Sequence, residues 1–169
     1  MSEYLVISTS LRSSSLSRRL GEQLIRELGD EAEFIDLREF PLPLCDGESA
    51  YSDPNVEKLS ARIAAARVIL VTTPVYNYDA NAAVKNLVEL TGSAWEDKIV
   101  GFACAAGGQS SYMSIMSLAN SLMLDFRCVI LPRFVYATGN DFSGDKISAE
   151  ITKRVKQLAD SARRLAYRD

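Results

Sequence analysis

Residues 67–72, Arg67-Val68-Ile69-Leu70-Val71-Thr72, constrain the fold of this chain more than any other segment. A half-buried strand alternates apolar and polar residues. This run does not alternate and is β-branched, so it fits a strand covered on both faces, as in parallel sheets. Comparable runs occupy 3–8, 32–37, 98–105 and 127–131. Helical patterns lie between them and after them, at 15–28, 55–65, 81–90, 110–124 and 146–167. Five apolar strands alternating with helices predict a parallel sheet with helices on both faces. With 169 residues the chain is too short for an eight-fold barrel and long enough for one sizeable core. No internal repeat or linker divides it, so residues 1–169 read as a single domain.

The charge balance removes several classes of function. Nineteen basic and 22 acidic residues leave a net charge of -3, which does not recruit nucleic acid by bulk electrostatics. No apolar run is long enough to cross a bilayer, and no basic segment followed by an apolar one opens the chain; a cytoplasmic, membrane-free protein is expected. Charge is nonetheless uneven. From Glu27 to Glu57 there are ten acidic residues and one basic, Arg38, whereas Lys146 to Arg168 carries seven basic and two acidic. These stretches are either two solvated surfaces or two faces that meet across an oligomer interface. The three cysteines, Cys45, Cys104 and Cys128, form no CxxC pair and no disulfide framework. The chain has no histidine, which excludes Ser-His-Asp and Cys-His triads and histidine-bound zinc.

In an open parallel sheet, ligands bind beyond the carboxyl ends of the strands. Three loops there have unusual composition. After the first strand, Ser10, Arg12, Ser15 and Ser17 surround the start of a helix, and Leu16 adds a first-turn amide. Unpaired N–H groups, hydroxyls and a planar cation suit a terminal monophosphate. A helix cap needs only one of these serines. After the third strand come Pro74, Val75, Tyr76 and Asn77, with Pro74 expected to end the strand and Tyr76 and Asn77 placed to meet a planar ligand. Taken alone, this segment is equally a turn with two surface tyrosines. After the fourth strand, Ala106, Gly107, Gly108 and Gln109 allow close backbone approach and positive φ, or form a bare strand-to-helix turn.

Thr9-Ser10-Leu11-Arg12-Ser13-Ser14-Ser15 and Thr73-Pro74-Val75-Tyr76-Asn77, followed by Ala83-Val84-Lys85-Asn86 and Gly107-Gly108, together resemble the NADPH-dependent FMN reductase family. Thr9 stands where that family usually has Gly, and Val75 where it usually has Glu. The resemblance implies a flavodoxin-like three-layer α/β sandwich with a five-stranded parallel sheet in the order 2-1-3-4-5. It implies FMN as cofactor, held through its phosphate by Ser10, Arg12, Ser15, Leu16 and Ser17. Pro74, Val75, Tyr76 and Asn77 would line one side of the ring, and Ala106, Gly107, Gly108 and Gln109 its pyrimidine edge. Hydride would pass from NADPH or NADH through the flavin to a small acceptor: a flavin, quinone, azo compound or metal oxyanion. No side-chain acid or base is required, so no catalytic residue is assigned. The helix at 110–124 is apolar on more than one face, and a homodimer or homotetramer is expected. The alternative is a non-catalytic FMN-binding protein or electron carrier of flavodoxin type.

Overall fold

The computed structural model describes residues 3–167. Its strands and helices alternate as β1 (Tyr4–Ser8), α1 (Leu16–Leu28), β2 (Ala32–Asp36), α2 (Pro54–Ala65), β3 (Val68–Tyr76), β4 (Asp79–Ala80), α3 (Ala82–Thr91), β5 (Ile99–Ala106), α4 (Met116–Phe126), β6 (Val129–Ile130), β7 (Val135–Thr138), β8 (Phe142–Ser143), β9 (Lys146–Ile147) and α5 (Ala149–Ala166). The main sheet runs β2-β1-β3-β5-β6 with all four pairings parallel. β7 also lies parallel to β5 and continues the edge begun by β6. Counting β6 and β7 as one interrupted strand, the order is the expected 2-1-3-4-5.

Side-chain alternation divides the core into two layers. Tyr4 and Val6 of β1 and Leu70 of β3 face Leu20 and Leu24 of α1 and Val155 and Leu158 of α5. Leu5, Ile7, Ile69 and Val71 point the other way, toward Leu59 of α2, Leu87 of α3, Trp95 and Leu122 of α4. Both faces of the central strands are therefore dry, which explains their lack of polar alternation.

Four element boundaries differ from expectation. Pro74 does not end β3; the strand continues to Tyr76, with Pro74 opposite Ala105. The β1 ladder has already stopped at Ser8 opposite Thr72, so the missing N–H of Pro74 breaks no ladder on that side. The fifth strand pauses rather than ending at Pro132. Leu131 still donates its N–H to the Val100 carbonyl; the chain leaves β5 over residues 132–134 and rejoins it at Val135, opposite Ala103. Residues 110–115 are not part of α4: a 3-10 turn at Gln109–Ser111 precedes it. Lys146 and Ile147 belong to a small antiparallel hairpin with β8, and Ser148 caps α5 by accepting from the N–H of Ile151.

Gly101, in the middle of β5, is set by packing. A Cβ there would lie 2.8 Å from both Leu131 Cδ1 and Leu70 Cδ2 and 3.1 Å from Leu158 Cδ1. Gly101→Ala should cost about 1–3 kcal/mol through overpacking, read as a lower urea midpoint at unchanged m-value. A midpoint within error of the wild type would show that the three leucines can move aside.

Candidate functional site

The ends of β1, β3 and β5 are in register. Ser8 lies opposite Thr72, and the next two residues of β3, Thr73 and Pro74, lie opposite Cys104 and Ala105. All three expected loops therefore leave the same edge of the sheet.

The first loop is built on a helix start. Ser15 is the N-cap of α1, and its Oγ accepts from the N–H of Arg18 at 3.1 Å. Leu16 and Ser17 form the first turn, whose N–H groups have no acceptor within a helix. No acidic residue occupies that turn. Ser10, Ser15 and Ser17 are buried, and the hydroxyls of Ser15 and Ser17 lie 3.0 Å apart. Arg12 is exposed; its N–H donates to Ser10 Oγ at 3.3 Å and its Nε to Ser14 Oγ at 3.0 Å. The guanidinium thus rests on the Ser14 hydroxyl rather than on a carboxylate.

A charged group not singled out from the sequence supports this loop from below. Asp36, at the end of β2, is 2% exposed. Its carboxylate accepts from Arg38 Nε and Nη2, the latter at 2.6 Å, while Arg18 Nε lies 3.2 Å away. Arg38 also reaches the carbonyl of Ser13 at 3.4 Å. Burial pushes the Asp36 carboxyl up, but the Arg38 hydrogen bonds and the charges of Arg38 and Arg18 outweigh it and hold it below the usual carboxylate range. The signal in the sequence was Arg38 itself, the single cation in an acidic stretch.

The second loop is a hairpin turn. Asn77 and Tyr78 have φ of 50° and 65°, and β4 returns antiparallel to β3 with Val75 opposite Ala80. Two successive residues at positive φ make a tight turn of the type that favours Asn and Gly. Tyr78 is an outlier there, an arrangement that persists only where surrounding contacts impose it. Its hydroxyl lies 3.4 Å from Ser110 Oγ, and Asp79 accepts from Ser117 Oγ at 3.0 Å. Tyr76 is exposed and Asn77 lies beside it at the turn, but Val75 turns its side chain into the core. Only the backbone of Val75 can therefore contribute to a surface site.

In the third loop, Ala106 is buried, and Gly107, Gly108 and Gln109 are exposed. Neither glycine uses positive φ; Gly108 is extended, at φ -158°. A Cβ on either would meet nothing within 4 Å, so the space above the turn is open to close approach. Tyr136 of β7 donates its hydroxyl to the Gly108 carbonyl at 2.5 Å and fixes the turn. Among the described residues, no group of three or more His, Cys, Asp or Glu side chains could hold a metal.

A parallel doubly wound sheet with a hydroxyl-rich helix start at one strand end and two further loops beside it defines a mononucleotide-binding class of α/β protein. The sequence model of the NADPH-dependent FMN reductase family matches residues 3–143. The chain belongs to that family, whose members are oxidoreductases using FMN and a nicotinamide nucleotide. It is 27% identical over 134 residues to an NAD(P)H-dependent FAD/FMN reductase of Geobacillus thermodenitrificans, covering 76% of this chain and 72% of the relative. It is 29% identical over 154 residues to an NADH-dependent FMN reductase of Pseudomonas fluorescens, covering 89% and 82%. Its fold matches that of a flavoenzyme NAD(P)H:acceptor oxidoreductase from Paracoccus denitrificans with a TM-score of 0.76 at 21% identity, over 97% of this chain and 98% of the other.

The depressed Asp36 carboxyl makes a prediction. Because its ionised form is favoured in the folded state, its contribution to stability is complete above the unfolded value, about 3.9. That contribution falls away as pH drops from there through the lower folded value. Urea unfolding across this acid range should show a steeper loss for the wild type than for Asp36→Asn, which should already be less stable at neutral pH. Parallel curves would remove Asp36 as the acid-sensitive support of the loop.

Proposed function

We propose that this protein is an FMN-dependent NAD(P)H oxidoreductase that passes hydride through bound FMN to a small acceptor such as a flavin, quinone, azo compound or metal oxyanion. The observation that carries this reading is the convergence of three differently built loops on one sheet edge. The residues fit the cofactor. The helix start with Leu16 and Ser17 N–H groups, the hydroxyls of Ser10, Ser15 and Ser17, and Arg12 form a donor set without a competing carboxylate, as a phosphate dianion requires. Pro74, the Val75 backbone, Tyr76 and Asn77 form one wall for a planar ring. Ala106, Gly107, Gly108 and Gln109 offer backbone groups over open space for its polar edge.

Bound FMN supplies the redox chemistry. The chain's own part is to orient the ring, to neutralise its phosphate, and to place N–H groups of the third loop where they stabilise negative charge on the ring. No side chain needs to shuttle a proton, in keeping with a chain that lacks histidine.

The outer face of α4 supports self-association. Leu118, Ala119 and Leu122 pack into the core, yet Met116, Met123 and Leu124 of the helix and Met113 just before it are exposed, Leu124 by 85%. We assign this apolar face to contact with a second copy, in a homodimer or homotetramer. The three unpaired cysteines support a reducing, cytoplasmic setting.

The purified protein should be yellow and should bleach when mixed anaerobically with NADPH or NADH. A colourless protein whose melting temperature ignores added FMN would defeat the flavin reading. A yellow protein that stays oxidised with both nucleotides would leave only the electron-carrier role. Arg12→Ala should weaken FMN binding by about 1.5–3 kcal/mol, the range for a hydrogen bond to a charged group. Unchanged affinity would place the Arg12 guanidinium outside the phosphate site.

A further inference from the structure

The interruption of the edge strand creates a second feature of the surface. Where the chain leaves β5 between β6 and β7, a cleft of about 710 Å³ opens against α5. Arg154, Gln157 and Arg164 line it from the helix, and Arg133, Phe134 and Tyr112 from the opposite side. The helical residues recur at intervals of three and seven, which brings them onto one stripe facing the break. Among the described residues no acidic side chain lines the cleft, on a chain whose net charge is -3.

Among the described residues, two of the arginines have neutral hydrogen-bond partners. Arg133 Nη1 donates to Gln157 Oε1 at 2.8 Å, and Arg164 Nη2 to Ser161 Oγ at 3.1 Å. Arg154 is paired with Glu150 at 2.9 Å. Tyr112 and Phe134 form a tilted aromatic pair with centroids 4.8 Å apart, and Tyr112 is 46% exposed. The cleft therefore combines unneutralised guanidinium groups with an accessible aromatic face.

The cleft also leads toward the candidate flavin site. A smaller pocket of about 120 Å³ shares Tyr112 and Arg154 with it and reaches Gln109 of the third loop. The carboxylates of that pocket are engaged: Asp141 accepts from Thr138 N–H and Oγ1, and Glu150 holds Arg154. Tyr136, which anchors the Gly108 carbonyl, packs 5.5 Å from Tyr112.

We propose that the cleft takes the phosphoadenosine end of the nucleotide that delivers hydride, with Arg133 and Arg164 on its 2′-phosphate and Tyr112 against its base. This rests on the reductase reading above and adds to it the residues that select NADPH over NADH. Planar guanidinium groups suit phosphate oxygens, and a tyrosine face suits a purine. The volume lies within the range of small-molecule sites.

The test uses the purified flavin-loaded protein and a ligand that cannot react. Calorimetric titration with adenosine 2′,5′-bisphosphate should show binding to the wild type. The double variant Arg133→Ala/Arg164→Ala should bind it at least about tenfold more weakly, as expected for loss of charge-assisted hydrogen bonds. Its KM for NADPH should rise in step, while kcat, KM for NADH, flavin content and melting temperature hold. Both arginines are exposed, so the variant should fold. A wild type that ignores the bisphosphate, or a variant that binds it equally well, would overturn the assignment. The two readings fail separately. A protein that oxidises neither nucleotide defeats the reductase reading, and with it this role for the cleft. Oxidation of both with unchanged constants in the variant defeats the cleft alone.

Discussion

The site depends on one buried carboxamide. Asn81 Nδ2 donates to the carbonyl of Thr9 at 2.8 Å, and its Oδ1 accepts from Thr9 Oγ1 at 3.0 Å, from Thr73 Oγ1 at 3.1 Å and from the N–H of Val84 at 3.3 Å. Asn81 is therefore the cap of α3 and the clasp between the first loop and the end of β3. Thr9 adds a backbone bond of its own to the carbonyl of Thr72. Each of these groups is buried and would otherwise be unsatisfied, at a cost of about 1–3 kcal/mol apiece. Because the network is complete, the loop after β1 has its position set by β3 before any ligand arrives. Thr9, where the family usually carries glycine, gains a function here: its hydroxyl is part of the clasp.

Preorganisation extends outward from that clasp. The turn at Asn77 and Tyr78 holds two residues at positive φ, and the hairpin is pinned to the third loop and to α4 through Ser110 and Ser117. The third loop is held in turn from the edge strand by Tyr136. The loop at 41–47, rich in proline and poor in regular structure, is clamped by Asn86 of α3, which donates to the Pro43 carbonyl and accepts from the Cys45 N–H, both at 2.9 Å. Rigid elements thus fix each loop at a named atom. Such fixing lowers the ordering cost of binding a ligand that spans several loops.

The layers of the fold were legible because burial on both faces imposes an unmistakable composition on strands such as residues 67–72. Boundaries were less so where a residue's usual role was overridden by its neighbours. Pro74 reads as a strand stop, yet β1 has ended beside it and its missing donor is not needed. Pro132 does interrupt a strand, but β5 is long enough to capture the chain again at Val135, which no local pattern announces. Loop composition picked out three segments that the structure brings to one edge of the sheet. It could not separate side chain from backbone, so Val75 read as a wall although its side chain lies in the core. Asp36 and Asn81 escaped notice because their roles arise between segments distant in sequence: Asn81 meets Thr9 across 72 residues.

The remaining nucleophiles narrow the chemistry further. Burial pushes the Cys104 thiol up to about 12 and the Cys128 thiol up to about 11, so neither supplies a thiolate near neutral pH. Cys45 is half-buried and directs its Sγ toward the Tyr51 hydroxyl at 3.7 Å, on the 41–51 loop rather than at the site. With no histidine in the chain and both buried thiols held in the neutral form, the sheet edge offers donors, walls and a cation. A site so constituted can hold and polarise a reactive group. That division of labour suits a family whose redox chemistry belongs to a bound cofactor.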